Sequence, residues 1–217
     1  MIGLVALSVA AQAAIASAAV KVDPPQAVVR GHSVIHKASG ITVGVPTSAA
    51  FVGKDRFDIK GAADAEVEVF AEADRHKRLT RLYWIQFEHP WPDQKWRYDY
   101  TSDRRERHWG TTVWVNSGPG ATSGPNIGVD RARVQALLAR AGYIIPRGMM
   151  NVRMIQLLDD PKGTGHGGHE LMFIYAEDLS KTGKTLAEWE KAPDAEWAPF
   201  DKPLVGRATS AFQVTRK

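Results

Sequence analysis

The alternation of apolar and polar residues is clearest in two consecutive segments in the first half of the chain. AEVEVFAEA, residues 65–73, and RLTRLYWIQFEH, residues 78–89, both place apolar side chains at every second position over part of their length. A period of two is typical of strands with one buried face, and the polar DRHK between the segments suits a turn. The pattern predicts a β-hairpin.

The apolar side chains of both predicted strands stand at odd positions, so one buried face is expected to hold both sets. Glu66 and Glu68 then share the opposite face with Trp84 and Gln86. Two glutamates on one face could act as a carboxylate pair in acid–base chemistry. Solvent-exposed glutamates alternate in the same way along ordinary surface strands, and this is the favoured interpretation.

Shorter patterns predict the remaining elements. Apolar or β-branched runs predict strands at residues 41–46, 111–116, 152–158 and 170–176. An i, i+3, i+4, i+7 apolar stripe between Asp130 and Gly142 predicts a helix, with Asp130 as its N-cap. Thr185 and Glu188 have the spacing of a capping box, which predicts a short helix. The tail, residues 203–217, suits either a helix or a strand.

These elements favour an α+β fold, a mostly antiparallel sheet with two or three packed helices. No internal repeat or change of composition divides the chain after residue 33, so residues 34–217 are expected to form a single domain. Residues 19–33 are expected to be a linker, because Pro24 and Pro25 disfavour regular structure there.

The N-terminal segment has the character of a secretion signal. Residues 1–20 carry no charge, and Ala16-Ser17-Ala18 matches the small-residue pattern of a cleavage site. No Lys or Arg precedes the apolar run, which means either an atypical signal or a true start farther upstream. A retained membrane anchor is the alternative, but the many alanines contribute little transfer free energy. Residues 1–18 are predicted to be a cleaved signal peptide, which indicates a periplasmic or secreted protein without a transmembrane segment after cleavage.

The composition of the chain excludes several classes of catalytic and metal-binding site. The chain has no cysteine, which excludes cysteine nucleophiles, thiolate zinc sites and iron–sulfur clusters. The net charge is +4, with basic and acidic residues interspersed, so no nucleic-acid partner is predicted. There is no GxSxG or SxxK motif of a serine nucleophile. His32 and His36 lie near a strand start, where a spacing of four has no special geometry, and structural roles are expected for both.

Histidines and acidic residues concentrate in DDPKGTGHGGHE, residues 159–170. Carboxylates and imidazoles bind divalent metals such as zinc, and Asp160, His166 and His169 could supply three ligands. Glu170 is not expected to bind the same metal ion as His169, because adjacent strand residues point to opposite faces. The spacing HGGHE lacks the helical geometry of HExxH, so a glycine-rich turn without a metal is the favoured interpretation. No other cofactor is predicted.

Aromatic and basic residues concentrate in HPWPDQKWRYDYTSDRRERHWG, residues 89–110. Aromatic faces stack on sugar rings, and guanidinium groups pair with anions. The candidate ligand-binding residues are Trp91, Trp96, Arg97, Arg105 and Trp109. The alternative is structural: the tryptophans fill the edge of the core while the arginines pair with neighbouring acids.

The glycine-rich segment NSGPGATSGPNIGVD, residues 116–130, lies between a predicted strand and the predicted helix, as phosphate-binding loops do. It lacks the endings of the P-loop and of GxGxxG, and Asp130 at the helix start would repel phosphate. A long surface loop is expected here.

The sequence therefore indicates an exported binding or envelope-associated module without enzymatic activity. Its expected partner is an anionic or glycan component of the cell envelope. The alternative function is a metal-dependent hydrolase built on residues 159–170. None of these patterns determines the oligomeric state.

Overall fold

The computed structural model describes residues 24–95, 97–124 and 127–217. The predicted signal peptide, residues 19–23 of the predicted linker and Trp96 lie outside the described residues. The strands are β1 Ala27–Arg30, β2 Ser33–His36, β3 Ile41–Gly44, β4 Ala50–Ile59, β5 Ala63–Ala73, β6 Leu79–Pro90, β7 Tyr98–Asp99, β8 Arg104–His108, β9 Thr111–Ala121, β10 Gly148–Leu157, β11 His166–Gly167, β12 Glu170–Asp178 and β13 Gln213–Arg216. The α-helices are α1 Val129–Arg140, α2 Leu186–Trp189 and α3 Ala198–Ala211.

The strands form three antiparallel sheets in the described part of the chain. The large sheet has the order β4-β5-β6-β12-β10-β9-β8, and the small sheet has the order β1-β2-β3-β13. A two-residue ribbon joins β7 to β11. Strand β1 lies within residues 19–33, so the predicted linker includes a strand. Strand β13 pairs with β3, which brings the C-terminal tail into the same small sheet.

The predicted α+β class is wrong, because strands account for 47% of the structure and helices for only 19%. The fold is rich in sheet. The predicted helices near residues 130 and 185 are present. They are outweighed by long strands, since β5, β6 and β9 have 11, 12 and 11 residues. The sequence pattern predicts nearly the full length of β5 and β6, but it ends β9 at residue 116, where the glycine-rich part of that strand begins.

The large sheet is covered on both faces. One face, which we call the small-sheet face, carries Phe70, Ile85 and Phe173 and packs against the small sheet and α3. The other, the α1 face, carries Val69 and Trp84. It packs beneath the apolar stripe of α1, which consists of Val134, Leu137 and Leu138.

The prediction that the odd-numbered apolar residues of β5 and β6 share one face is also wrong. Glu66 pairs with Phe87 and Val69 pairs with Trp84, so even-numbered residues of one strand lie opposite odd-numbered residues of the other. Glu66 and Glu68 therefore lie on the small-sheet face, where they are 4% and 1% exposed. Both faces of the hairpin are buried, and so the apolar alternation does not determine which residues pair.

The predicted loop at residues 116–130 is a strand over its first part. Gly118 pairs with Asn151 of β10, and Gly120 pairs with Met149. The neighbouring strand supplies the hydrogen bonds that hold this glycine-rich segment extended. Residues 125 and 126, later in the segment, lie outside the described residues.

The helix ends agree only partly with the sequence patterns. Helix α1 has Gly128 as its N-cap rather than Asp130. The capping box of Thr185 and Glu188 is confirmed. The tail forms both elements that its sequence suited, α3 followed by β13. None of the described helices is long and apolar enough to cross a membrane.

Candidate functional site

A cleft of about 360 Å³ lies on the small-sheet face, where the large sheet meets the small sheet. Its polar lining includes His36 of β2, Arg56 of β4, Glu66 of β5, His89 of β6 and His169, which precedes β12. We call it the histidine cleft. Three imidazole groups meet here although they are far apart in the sequence, because each stands at or near the end of a different strand.

Glu66 builds one wall of the histidine cleft. Its Oε1 accepts the backbone N–H of Gln26 and its Oε2 accepts that of Ala27, both at 2.8 Å. Hydrogen bonds to a carboxylate are stronger than those between neutral groups. They fasten β1 to the large sheet, and the β1–β2 pairing then positions His36.

His36 is held in place by Phe87 and Ser39. Its ring stacks on Phe87, with centroids 4.0 Å apart and an angle of 7° between the planes. Ser39 occupies the Nδ1 side of the ring, with its hydroxyl oxygen 2.8 Å and its backbone nitrogen 3.3 Å from Nδ1. Burial lowers the pKa of His36, the Glu66 carboxylate opposes this shift, and His89 adds to it. Nε2, the ring nitrogen that Ser39 does not contact, is therefore the nitrogen that His36 can offer to a ligand.

Asp64 positions two further lining residues. This carboxylate is 2% exposed, and its Oδ2 accepts from Arg56 Nε at 2.9 Å and from Arg56 Nη2 at 2.5 Å. The Nε2 of His89 lies 3.4 Å from the same oxygen. Asp64 thereby fixes Arg56 and His89 at the cleft, and its own charge is engaged by a guanidinium group.

Two segments that the sequence singles out meet at the rim of the histidine cleft. The rings of His89 and His169 lie nearly parallel, with centroids 6.5 Å apart. Asp159 Oδ2 lies 3.8 Å from His169 Nδ1 and accepts a hydrogen bond from Arg97 Nη2 at 2.8 Å. Trp91 approaches His89 edge-on, at 6.5 Å between centroids. Residues from both segments, 159–170 and 89–110, thus contribute to one region.

The other predicted ligand-binding residues lie elsewhere. The indole Nε1–H of Trp109 donates to the carbonyl of Phe212 at 3.0 Å, and its ring packs against the core. Arg105 Nη2 donates to the carbonyl of Lys162 at 3.3 Å. These contacts fit the structural alternative for both residues. Trp96 lies outside the described residues.

The three predicted metal ligands have separate partners. Asp160 Oδ2 accepts the backbone N–H of Gly165 at 2.8 Å, within its own turn. His166 Nδ1 lies 3.8 Å from Asp99, whereas His169 faces the histidine cleft. In the described part of the chain, no group of three or more His, Asp or Glu side chains is arranged to hold a metal ion.

A buried pair of carboxyl groups lies on the opposite face of the large sheet. Glu88 and Glu170 pair across β6 and β12. The hydroxyl of Tyr98 donates to Glu88 and that of Tyr100 donates to Glu170, both at 2.5 Å. Burial raises the pKa of both carboxyl groups, and the neighbouring Glu88 raises that of Glu170 further. These contacts fasten the segment around β7 to the α1 face.

The sequence does not single out Arg56 or His89 as candidate site residues. It predicts only a structural role for His36. The available signal is weak: His36 is the last residue of β2 and His89 is the last but one of β6. Polar residues at strand ends become informative only when the order of the strands is known. Arg56 carries no signal in the sequence pattern.

The chain was compared with models of protein families, with curated proteins and with solved structures, and none of them matched. A function for the chain therefore rests on the geometry of the histidine cleft.

Proposed function

We propose that the chain is an exported, non-enzymatic module that binds a small anionic molecule in the histidine cleft. The observation that carries the proposal is the convergence of His36, His89 and His169 with Arg56 in one cleft of about 360 Å³. Small-molecule sites commonly have volumes from about 300 Å³ upward. Imidazole and guanidinium groups donate N–H hydrogen bonds to the oxygens of an anion.

The acidic residues that line the histidine cleft are Glu66, Glu88 and Glu170, and each already has a donor of its own. Glu66 accepts two backbone N–H groups, whereas Tyr98 donates to Glu88 and Tyr100 donates to Glu170. None of these carboxyl groups depends on the imidazole groups for a hydrogen-bond donor. The rim adds Trp91, whose ring suits stacking on a sugar. An acidic sugar, of the kind found in envelope polysaccharides, carries both an anionic group for the N–H donors and a ring that can stack on Trp91.

D-Glucuronate is expected to bind at least about tenfold more tightly than D-glucose, because only glucuronate carries a carboxylate that can accept N–H groups from Arg56 and the imidazole rings. Isothermal titration calorimetry measures this difference. D-Glucose, which lacks the carboxylate, is the matched ligand. Equal affinity for glucose and glucuronate would contradict an anionic ligand.

The substitution His169→Gln is expected to weaken glucuronate binding by about tenfold, because it removes an imidazole donor from the cleft lining. His166→Gln is the matched control, since His166 is also exposed but lies outside the cleft lining. An equal loss in both variants would attribute binding to overall charge rather than to the histidine cleft.

Export is expected to remove residues 1–18, so that the mature protein begins at Ala19 and has 199 residues (217 − 18). Expression in a Gram-negative host, followed by fractionation and N-terminal sequencing of the periplasmic protein, measures this. Ala18→Glu places a charge at the cleavage site and is expected to retain the precursor. Recovery of the whole chain with its N-terminus intact in the membrane fraction would support the retained anchor instead.

A further inference from the structure

A second cleft, of about 270 Å³, lies on the α1 face of the large sheet. Its lining includes Gly118 of β9, Arg131 of α1, Asn151 and Arg153 of β10, and Ile174 of β12. We call it the arginine groove. It shares no lining residue with the histidine cleft.

The two guanidinium groups of the arginine groove are held in place by the protein. Arg153 Nη2 donates to Asp103 Oδ2 at 2.7 Å, and the guanidinium group lies over the ring of Tyr100 at 5.5 Å. Arg131 Nη1 donates to the carbonyl of Ala121 at 2.8 Å. Little side-chain freedom remains to be lost when an anion binds, which favours affinity.

Donors of these arginines remain available. The Arg153 side chain is 40% exposed, so a ligand can reach part of its guanidinium group although Nε itself is shielded from solvent. Each guanidinium group has five N–H donors in a planar arrangement, which matches the oxygens of a carboxylate. An anion in the arginine groove therefore gains hydrogen bonds that the protein alone leaves unmade.

No acidic side chain lines the arginine groove in the described part of the chain. Of the acids nearby, Asp103 is already paired with Arg153, and Asp130 accepts the backbone N–H of Arg131 at 2.7 Å. Burial raises the pKa of Glu170, which favours its uncharged form. The charge that the arginine groove presents to a ligand is therefore positive.

Part of the lining of the arginine groove is open and apolar. A Cβ built on Gly118 would meet no other atom within 4 Å, so the backbone there is accessible to a ligand. Ile174 adds an aliphatic side chain to the lining. This surface suits a molecule with a short apolar body attached to its anionic group.

We propose that the arginine groove binds an organic carboxylate, whose oxygens pair with Arg131 and Arg153 while its apolar body lies over Gly118 and Ile174.

Titration of the ¹⁵N-labelled full chain with sodium hexanoate tests this proposal by nuclear magnetic resonance. Hexanoate is expected to shift the backbone amide signals of Gly118 and Gly120 together with those of Arg131. 1-Hexanol, which lacks the charge, and inorganic phosphate, which lacks the apolar body, are expected to bind at least about tenfold more weakly. Shifts confined to the histidine cleft, or equal binding of phosphate, would overturn the proposal.

The substitutions Arg131→Gln and Arg153→Gln are each expected to weaken hexanoate binding by about tenfold or more. Arg140→Gln on the same helix is the matched control, because Arg140 is exposed and lies outside the groove. Arg131→Gln leaves the Asp103–Arg153 pair intact, so it remains informative if Arg153→Gln fails to fold. An affinity unchanged within twofold in Arg131→Gln would show that the groove is not the site.

Discussion

Replacement of Glu68 by glutamine is expected to raise the free energy of unfolding by about 3 kcal/mol at pH 8 and to change it little at pH 4. Glu68 is 1% exposed, and its Oε2 has no hydrogen-bond partner among the described residues. Burial raises the pKa of this carboxyl group from 4.5 to about 8; the charge of Glu66 adds to the shift and Lys54 opposes it.

The direction of the effect follows from where the folded and unfolded chains release the proton. Below pH 4.5 the carboxyl group of Glu68 is protonated in both states and contributes nothing to the pH dependence. Between pH 4.5 and about 8 the unfolded chain releases the proton while the folded chain retains it. Stability is therefore lost as the pH rises through this window, and the penalty is complete above it. Glutamine does not titrate, so the variant avoids the loss.

Urea denaturation of both proteins at pH 4, 6 and 8 measures the difference in the free energy of unfolding. Glu190→Gln is the control, because Glu190 is exposed and the same change there removes one surface carboxylate. A gain in Glu68→Gln that is equal at pH 4 and pH 8 would show that the carboxyl group does not titrate in this window.

Local patterns in the sequence predict the elements whose structure depends on neighbouring residues. The apolar stripe of α1 is confirmed by the burial of Val134, Leu137 and Leu138. The capping box of Thr185 and Glu188 spans only four consecutive residues and is confirmed as well. In both cases the decisive contacts lie within one or two helical turns, which a short stretch of sequence contains.

Contacts between distant strands determine what the sequence does not predict. Glu66 and Glu68 are buried because the small sheet covers a face that the alternation pattern leaves to solvent. Gly118 joins a strand because β10, some thirty residues later, supplies its partner Asn151. The histidine cleft depends on the same order of strands, since His36 and His89 come together only through the packing of two sheets.

Replacement of Glu66 by alanine is expected to lower the free energy of unfolding by about 3 kcal/mol, because it removes the acceptor of two backbone N–H groups. One of them belongs to Ala27, which is 2% exposed and so has little access to water as a substitute. Glu66→Gln keeps one acceptor oxygen, and its loss of stability is expected to lie between those of the wild type and the alanine variant.

The pKa of His36, followed by nuclear magnetic resonance, separates two consequences of Glu66→Ala. Burial is the largest cause of the lowered pKa of His36, and the Glu66 carboxylate acts in the opposite direction. If β1 and β2 detach, His36 loses its burial and its pKa rises, which is the expected result, accompanied by loss of glucuronate binding. If the small sheet stays in place, only the favourable charge is lost and the pKa falls further. A fall in the pKa with little change in stability would mean that the histidine cleft forms without the Glu66 anchor.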